Sequence, residues 1–161
     1  MVKRASFGNA PCPVARALDV VGDWWSLLII RDAFDDVRRF SEFEASLRIA
    51  KGILSSRLRD LIERGILDTA PASDVSAYRE YVLTEKGRGL FLVIVALRQW
   101  GEDHLYGPDE PRSSLVDAEI GTPVPRLELR SADGDRIEWD RTRVRKVSAD
   151  EPALSLLRKR G

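Results

Sequence analysis

Two short amphipathic segments, separated by only a few residues between Phe40 and Leu67, constrain the fold of this chain more than any other feature. In the first segment, Phe40, Phe43 and Leu47 lie at helical spacing and share one face. The second segment repeats that spacing with four apolar residues, namely Leu54, Leu58, Leu61 and Ile62. The pattern predicts two consecutive helices joined by a tight turn, which is the layout of a helix-turn-helix.

The ends of both helices also have sequence signals. Ser41 is followed three residues later by Glu44, a spacing at which the hydroxyl and the carboxylate each satisfy a backbone N–H. The first helix is therefore predicted to begin at Ser41. The second is predicted to run from Lys51 to Arg64, because Gly65 is a typical residue just beyond a helix C-terminus.

The second helix has a small, polar and basic face opposite its apolar stripe. This face consists of Gly52, Ser55, Ser56 and Arg59, flanked by Lys51 and Arg57. Small side chains let a helix approach base edges in the major groove closely, and arginine binds guanine or phosphate. The alternative is an ordinary solvated helix face, so the elements that follow decide between the two.

A hairpin pattern follows directly. Residues 66–70 and the alternating residues 78–83 are separated by a stretch with Pro71, Ser73 and Asp74, as in two strands joined by a turn. Thr84 then caps a long predicted helix over residues 85–105. A helix-turn-helix followed by a hairpin is a winged helix, so the predicted fold class is α+β.

Several motifs in this order resemble the HxlR family of bacterial transcriptional regulators. They occupy residues 12–14, 22–32, 38–43, 54–61, 65–67 and 80–87. The resemblance covers about the first two thirds of the chain. It implies a homodimeric DNA-binding protein whose N-terminal helix and long helix 85–105 form the dimer interface, and it implies no enzymatic activity.

We therefore expect a regulator, most simply a repressor, that binds double-stranded DNA at a pseudo-palindromic operator with half-site centres about 34–36 Å apart or a multiple of that. The residues expected at or near the major groove are Lys51, Gly52, Ser55, Ser56, Arg57 and Arg59. Ser41, Arg38 and Arg39 are expected on the DNA backbone, and Arg79 of the wing near the minor groove.

Charge leaves a rival interpretation open. The chain has 26 basic and 26 acidic residues, whereas strongly basic composition is typical of nucleic-acid binding. Between Arg38 and Arg64, however, seven basic residues face four acidic ones. The rival is a winged-helix protein-interaction or ligand-binding module without specific DNA binding, which Gly52 and the sparsely basic wing favour.

Cys12 is the only cysteine, so neither an internal disulfide nor a zinc site with several thiolates is expected, and no cofactor is indicated. A thiol near a helix N-terminus can react as thiolate. The resemblance adds that some HxlR-family members sense electrophiles through a cysteine at this place. Cys12 is thus a candidate redox sensor; the alternative is a small residue packed at the dimer interface. A cysteine hydrolase that pairs Cys12 with the single histidine, His104, lacks a third orienting group.

Residues 12–34 form the predicted scaffold, with helices on either side of Gly22 and Asp23. Trp25 is expected in the core and Trp24 partly exposed. Alternatively, Trp24 and Trp25 line a pocket for an aromatic effector.

The chain has no signal peptide pattern, and its most apolar run is far shorter than the roughly 20 residues that span a bilayer, so we expect a cytoplasmic protein.

The last third differs in composition. Five of the eight prolines lie after Gly107, so we divide the chain into a DNA-binding and dimerisation domain, 1–106, and a C-terminal extension, 107–161. The extension is predicted to contain a hairpin over residues 127–139 around an Asp-Gly turn, with residues 114–116 as a candidate third strand and a helix start at Asp150. Four of its basic residues form either a second candidate phosphate surface or a solvated edge strand, namely Arg141, Arg143, Arg145 and Lys146.

Overall fold

A computed structural model describes residues 6–72, 74 and 78–145, and it divides into two compact units, the first ending at Ser114 and the second beginning at Leu115. The first unit contains, in order, the helices α1 (Pro13–Val21), α2 (Trp24–Phe34), α3 (Phe40–Leu47) and α4 (Lys51–Glu63), the strands β1 (Leu67–Pro71) and β2 (Arg79–Leu83), and the helices α5 (Glu85–Arg88) and α6 (Phe91–His104).

The scaffold helices α1 and α2 are separated at Gly22 and Asp23, as predicted. Asp23 caps α2, because its Oδ1 accepts a hydrogen bond from the Ser26 backbone N–H at 3.0 Å. Helix α2 is buried along Ile29 and Ile30, which have no exposed surface. It packs against α3, α4 and β2 and is therefore the central element under the predicted helix-turn-helix.

The predicted start of α3 at Ser41 with Glu44 is wrong. The helix begins at Phe40, and Glu42 supplies the cap: its Oε2 accepts hydrogen bonds from the backbone N–H groups of Arg38 at 2.9 Å and of Arg39 at 2.8 Å. The physical reason is that Glu42 sits at the third helical position, from which a carboxylate reaches the N-terminal amides. Ser41 is exposed in the first turn.

The turn between α3 and α4 is short and the end of α4 follows the prediction closely. Arg48 ends α3 in the left-handed region, with φ 49°. At the other end of α4, Gly65 has φ 67°, and the N–H of Ile66 donates to the carbonyl of Leu61 at 2.9 Å. This is the glycine-terminated helix end that the sequence predicts.

Strands β1 and β2 form a two-stranded antiparallel sheet in which Leu67 pairs with Leu83 and Pro71 with Arg79. Thr84 caps the next helix, since its Oγ1 accepts a hydrogen bond from the Gly87 N–H at 3.0 Å. Helices α3 and α4 followed by this hairpin confirm the predicted winged helix-turn-helix.

The single helix predicted over residues 85–105 is wrong, because it is divided into α5 and α6 at Gly89 and Leu90. Two glycines lie within this short stretch, and each lowers helix propensity by about 1 kcal/mol relative to alanine. Gly87 is also held against the chain before β1: a Cβ at this position would lie 2.2 Å from the carbonyl oxygen of Ile66. The first turn is thus held against the start of the sheet, and the regular helix resumes only at Phe91.

One hydrophobic core lies between the helices and the hairpin of the first unit. Its largest fully buried side chains are Phe43, Ile29, Ile30, Leu54, Leu58, Leu61, Ile66 and Leu67. Trp25 and Phe40 are partly buried against this core. As predicted, Trp25 packs on the core whereas Trp24 is exposed.

The second unit has less regular structure than predicted. Instead of two strands and a third, it has isolated antiparallel bridges between Arg130 and Arg136 and between Val116 and Pro123. The expected Asp-Gly turn is present, with Gly134 at φ 89°, but Trp139 begins a 3-10 turn, Trp139–Arg141. Because two short strands are marginal without a third, pairing extends little beyond the turn. Lys146, Asp150 and Ser73 lie outside the described residues.

Candidate nucleic-acid interface

Helix α4 has the predicted two faces. Leu54, Leu58 and Leu61 are buried and fix the rotation of the helix about its axis. The opposite face of the helix therefore points outward. On it, Gly52 and Ser55 are exposed and Ser56 is half-buried. A Cβ built at Gly52 would have no atom within 4 Å, so the surface around the first turn of α4 is unobstructed.

Arg59 is the cation of this face most available to a ligand. It is exposed and forms no ion pair or hydrogen bond within the described part of the chain. Lys51, at the first turn, lies with its Nζ 3.8 Å from Glu44 Oε1, and its side chain is 76 % exposed. Such an exposed pair is worth about 0–1 kcal/mol and is easily exchanged for another anion.

Arg57 has a different environment from Arg59. Its Nε lies 2.9 Å from Asp23 Oδ2 and its Nη1 lies 3.2 Å from Asp60 Oδ2. Since Asp23 also caps α2, Arg57 joins the start of α2 to the middle of α4. The arrangement positions α4 on its scaffold and leaves Arg57 directed at protein carboxylates.

Arg38 and Arg39 lie between α2 and the wing within a cluster of acidic residues. Arg38 Nη2 is 2.6 Å from Asp36 Oδ1, and Arg39 pairs with Asp74. These hydrogen bonds to carboxylates raise the pKa of each guanidinium. The buried Glu80 faces both arginines, with oxygen–nitrogen distances of 3.7 and 3.6 Å, so the positive charge of the pair is largely balanced.

The wing contributes Arg79, which is pinned to the opposite strand. Its Nε donates to Thr69 Oγ1 at 3.0 Å and its Nη2 donates to the Thr69 carbonyl at 2.7 Å. Neither partner is charged, so these contacts leave the positive charge of Arg79 uncompensated. Its position at the start of β2 places this charge beside the described end of the hairpin.

Sequence reasoning missed the acidic partners of the predicted site. Asp36 is close to Arg38 in the chain and could have been found by that proximity, whereas Asp23 and Glu80 come from distant segments. The only signal for Glu80 is the alternation of β2, in which Arg79 is exposed and Glu80 buried. A carboxylate on the inward side of a short strand needs cations, and Arg38 and Arg39 supply them.

Cys12 is exposed at the N-cap position of α1, immediately before Pro13. Its side chain makes no capping hydrogen bond to the helix.

Trp24 and Trp25 stack edge to face with ring centroids 5.7 Å apart. The structure separates their roles: Trp24 lines a cavity of about 460 Å³ between α2 and α6, whereas Trp25 packs on the core.

Within residues 6–72, 74 and 78–145, no group of three or more histidine, cysteine, aspartate or glutamate side chains could hold a metal ion. Among the helices in those ranges, none has the length and apolar character needed to cross a bilayer.

Helices α3 and α4 packed against α2 and followed by a two-stranded wing define a winged-helix protein of the helix-turn-helix type. The sequence model of the HxlR-like helix-turn-helix family matches residues 20–108, more than half of the chain. The chain belongs to this family, which confirms the resemblance found in the sequence. Over 115 residues it is 50% identical to the HTH-type transcriptional regulator MT3179 of Mycobacterium tuberculosis, covering 71% of this chain and 73% of that protein.

Solved structures agree with this assignment. The crystal structure of PA1607, a transcription-factor candidate, is 50% identical, has a TM-score of 0.84 and covers 89% of this chain and 100% of that chain. The reduced form of the redox regulator HypR is 33% identical with a TM-score of 0.54, and covers 58% of this chain and 94% of that chain. The PA1607 match extends well beyond the winged helix.

Proposed function

We propose that this HTH-type regulator acts as a homodimeric repressor that binds a pseudo-palindromic operator through α4. The observation that carries the proposal is Arg59: an exposed, unpaired cation beside Ser55, on a helix face whose opposite side is anchored by Leu54 and Leu58. Arginine at such a position can bind guanine with two hydrogen bonds. Lys51, Gly52 and Ser56 complete the proposed major-groove surface.

The remaining contacts are assigned by position. Arg38, Arg39 and Ser41 lie at the start of α3 and are proposed to contact phosphates, with Arg79 reaching the minor groove. Arg57 is proposed near the groove but directed at Asp23, so its effect on affinity comes through the position of α4. The functional division into residues 1–106 and 107–161 remains a prediction, as does a phosphate contact by Arg141, Arg143 and Arg145.

Dimerisation through α1 and α6 is supported by apolar side chains on their surfaces. Val14 and Leu18 lie one helical turn apart on α1, and they are 65 % and 51 % exposed. On α6, Leu92 and Trp100 are exposed as well. Several large apolar side chains exposed on two helices are typical of an interface, and a dimer through α1 and α6 would bury them.

Redox regulation is proposed as a second property of the same protein. The supporting observation is that the Cys12 thiol is exposed at the N-terminus of α1, where an oxidant can reach it. Because α1 belongs to the proposed dimer interface, oxidation there would alter DNA binding through the dimer. The experiment compares wild type with Cys12→Ser in diamide. An equal response of both proteins contradicts the proposal.

The rival function is an interaction or ligand-binding module. The balanced charges around Arg38 and Arg39 favour it, because they reduce the positive potential that DNA binding uses. The two functions differ in whether α4 determines affinity for DNA.

The deciding experiment is fluorescence anisotropy of the full-length protein on DNA from upstream of its own gene and of the adjacent gene, with a salt titration. We expect nanomolar, sequence-dependent binding that Ser56→Ala and Arg59→Ala both weaken. Weak binding that is independent of sequence and of both substitutions would instead support the interaction module.

A further inference from the structure

The cavity of about 460 Å³ between α2 and α6 has the size and composition of a small-molecule site. Ligand sites of roughly 300–1,000 Å³ are typically lined by apolar and aromatic side chains with a few polar groups that orient the ligand. Here Leu27, Leu28 and Ile94 supply the apolar wall and Trp24 an aromatic ring. The polar lining consists of Arg31, Arg98, Glu102, Arg112 and Ser113.

The charges of this cavity are unequally balanced. Arg31 Nη2 is 2.6 Å from the buried carboxylate of Asp32, and Arg98 Nη1 is 3.7 Å from Glu102 Oε1. Arg112 has no such partner: within the described ranges it forms no ion pair, and its guanidinium lies 5.8 Å from the centroid of the Tyr106 ring. The cavity therefore has one uncompensated cation, held over an aromatic ring at its edge.

The chain next to Arg112 is attached to α6 through Ser113. Arg98 Nη1 donates hydrogen bonds to both the carbonyl oxygen and the Oγ of Ser113, at 3.1 and 3.0 Å. The segment after α6 is thereby attached to the helix beside the cavity. An anion that enters between Trp24 and α6 would meet a positioned guanidinium and an aromatic ring.

The cavity is also distinct from the proposed dimer surface of α6. Ile94, Leu97, Gly101 and Leu105 recur every three or four residues and line the cavity. The exposed residues Leu92 and Trp100 are offset from them by roughly a third to a half of a turn. A partner that covers the Leu92 stripe therefore leaves the cavity side of α6 for another occupant.

We propose that this cavity binds a small aromatic carboxylate, with the ring against Trp24 and the carboxylate on Arg112. Arginine and carboxylate form paired, charge-assisted hydrogen bonds, which are stronger than neutral ones. The ring packs edge to face or offset against the tryptophan. A neutral or purely aliphatic ligand uses only part of this site.

The test is isothermal titration of the full-length protein, without DNA, with 3-phenylpropionate, its neutral amide 3-phenylpropanamide, and 3-cyclohexylpropionate. We expect saturable binding of one 3-phenylpropionate per chain and weaker binding of the other two probes. Arg112→Gln should weaken 3-phenylpropionate binding by about tenfold or more but leave the amide unchanged. Trp24→Ala should remove the preference for the aromatic ring.

Arg88→Gln is the matched control, since Arg88 is an exposed cation of α5 outside the cavity lining. It should bind all three probes like wild type. Equal affinities of the acid and the amide for wild type overturn the proposal without any mutant. Absence of saturable binding at millimolar probe, or unchanged binding in Arg112→Gln, also overturns it. Because no DNA is present, the outcome is independent of whether the protein binds an operator.

Discussion

At the scale of single residues, two arginines two positions apart on α4 have opposite environments. Arg59 is unpaired and exposed, whereas Arg57 contacts Asp23 and Asp60. The sequence predicted both near DNA because both lie on the same basic stretch. It could not distinguish them, since the carboxylate of Asp23 comes from another helix.

We expect Arg59→Ala to weaken operator binding by about 1–3 kcal/mol, which is roughly 5- to 150-fold, with unchanged thermal stability. Arg57→Ala should lower the free energy of unfolding by about 1 kcal/mol, since its pair is only half-buried. Anisotropy and thermal denaturation of both variants, with Arg88→Ala as control, check this. If Arg59→Ala binds DNA like wild type, α4 does not read the operator through this residue.

Glu42 provides a prediction for the pH dependence of stability. The backbone N–H groups of Arg38 and Arg39 donate to its carboxylate and lower its pKa in the folded state. A lowered folded pKa stabilises the protein above the pKa of the unfolded chain, about 4.3. This stabilisation is lost as the pH falls through the folded value.

Glu42→Gln should therefore be less stable than wild type at pH 7, by about 0.5–1 kcal/mol, because the amide keeps an acceptor but loses the charge. The difference should shrink as the pH falls below the unfolded-chain value of about 4.3 and then through the lower pKa of Glu42 in the folded protein. Urea denaturation of both proteins at a series of pH values measures it. A difference that stays constant down to acid pH would show that the charge is not the stabilising feature. Glu63→Gln is the matched control, since Glu63 is exposed on α4 and takes part in none of the ion pairs of the described residues.

At the scale of elements, helical and strand periodicity predicted α1 to α4 and the hairpin because each has a regular pattern of apolar residues. Helices α2 to α4 bury much of this pattern in the core, whereas α1 buries only Val21 and leaves Val14 and Leu18 exposed. The break between α5 and α6 escaped prediction. Just before the break, Gly87 lies against the Ile66 carbonyl, a tertiary contact that the sequence does not show. The acidic partners of Arg38 and Arg39, and the cavity with Arg112, escaped for the same reason, since they join segments distant in sequence.

Helix α6 leads to a prediction about assembly. Leu92 is 60 % exposed on the side of α6 away from the cavity, where a charge would oppose burial against a second copy. We expect wild type to be dimeric at micromolar concentration and Leu92→Glu to shift it towards monomer, by sedimentation equilibrium. Ile120→Glu, at an exposed apolar residue of the second unit, is the control. A wild-type monomer, or a Leu92→Glu dimer as stable as wild type, would contradict the proposed interface.

At the scale of the whole molecule, the chain has equal numbers of acidic and basic residues, and several of the basic residues of the proposed interface contact carboxylates. Affinity for DNA that depends on phosphate contacts falls with salt, because each neutralised phosphate releases counterions. A neutral molecule with paired arginines is expected to make few such contacts. The proposed regulator should therefore have a shallow salt dependence and rely on base contacts from α4.

Asp36 allows this balance to be changed at one position. Its carboxylate holds Arg38, and its backbone has φ 65°, a conformation that asparagine adopts readily, so Asp36→Asn should fold normally. Without the Asp36 charge, Arg38 keeps only the longer contact to Glu80 at 3.7 Å. This should tighten DNA binding and steepen the slope of log affinity against log salt by at most about 2 per dimer. The control for the change in net charge is Asp133→Asn, which removes one exposed negative charge in the second unit. If both variants shift the salt dependence equally, net charge alone determines the effect and Arg38 has no phosphate contact. A steeper slope for Asp36→Asn alone would identify the pairing of Arg38 with Asp36 as a local restraint on DNA affinity.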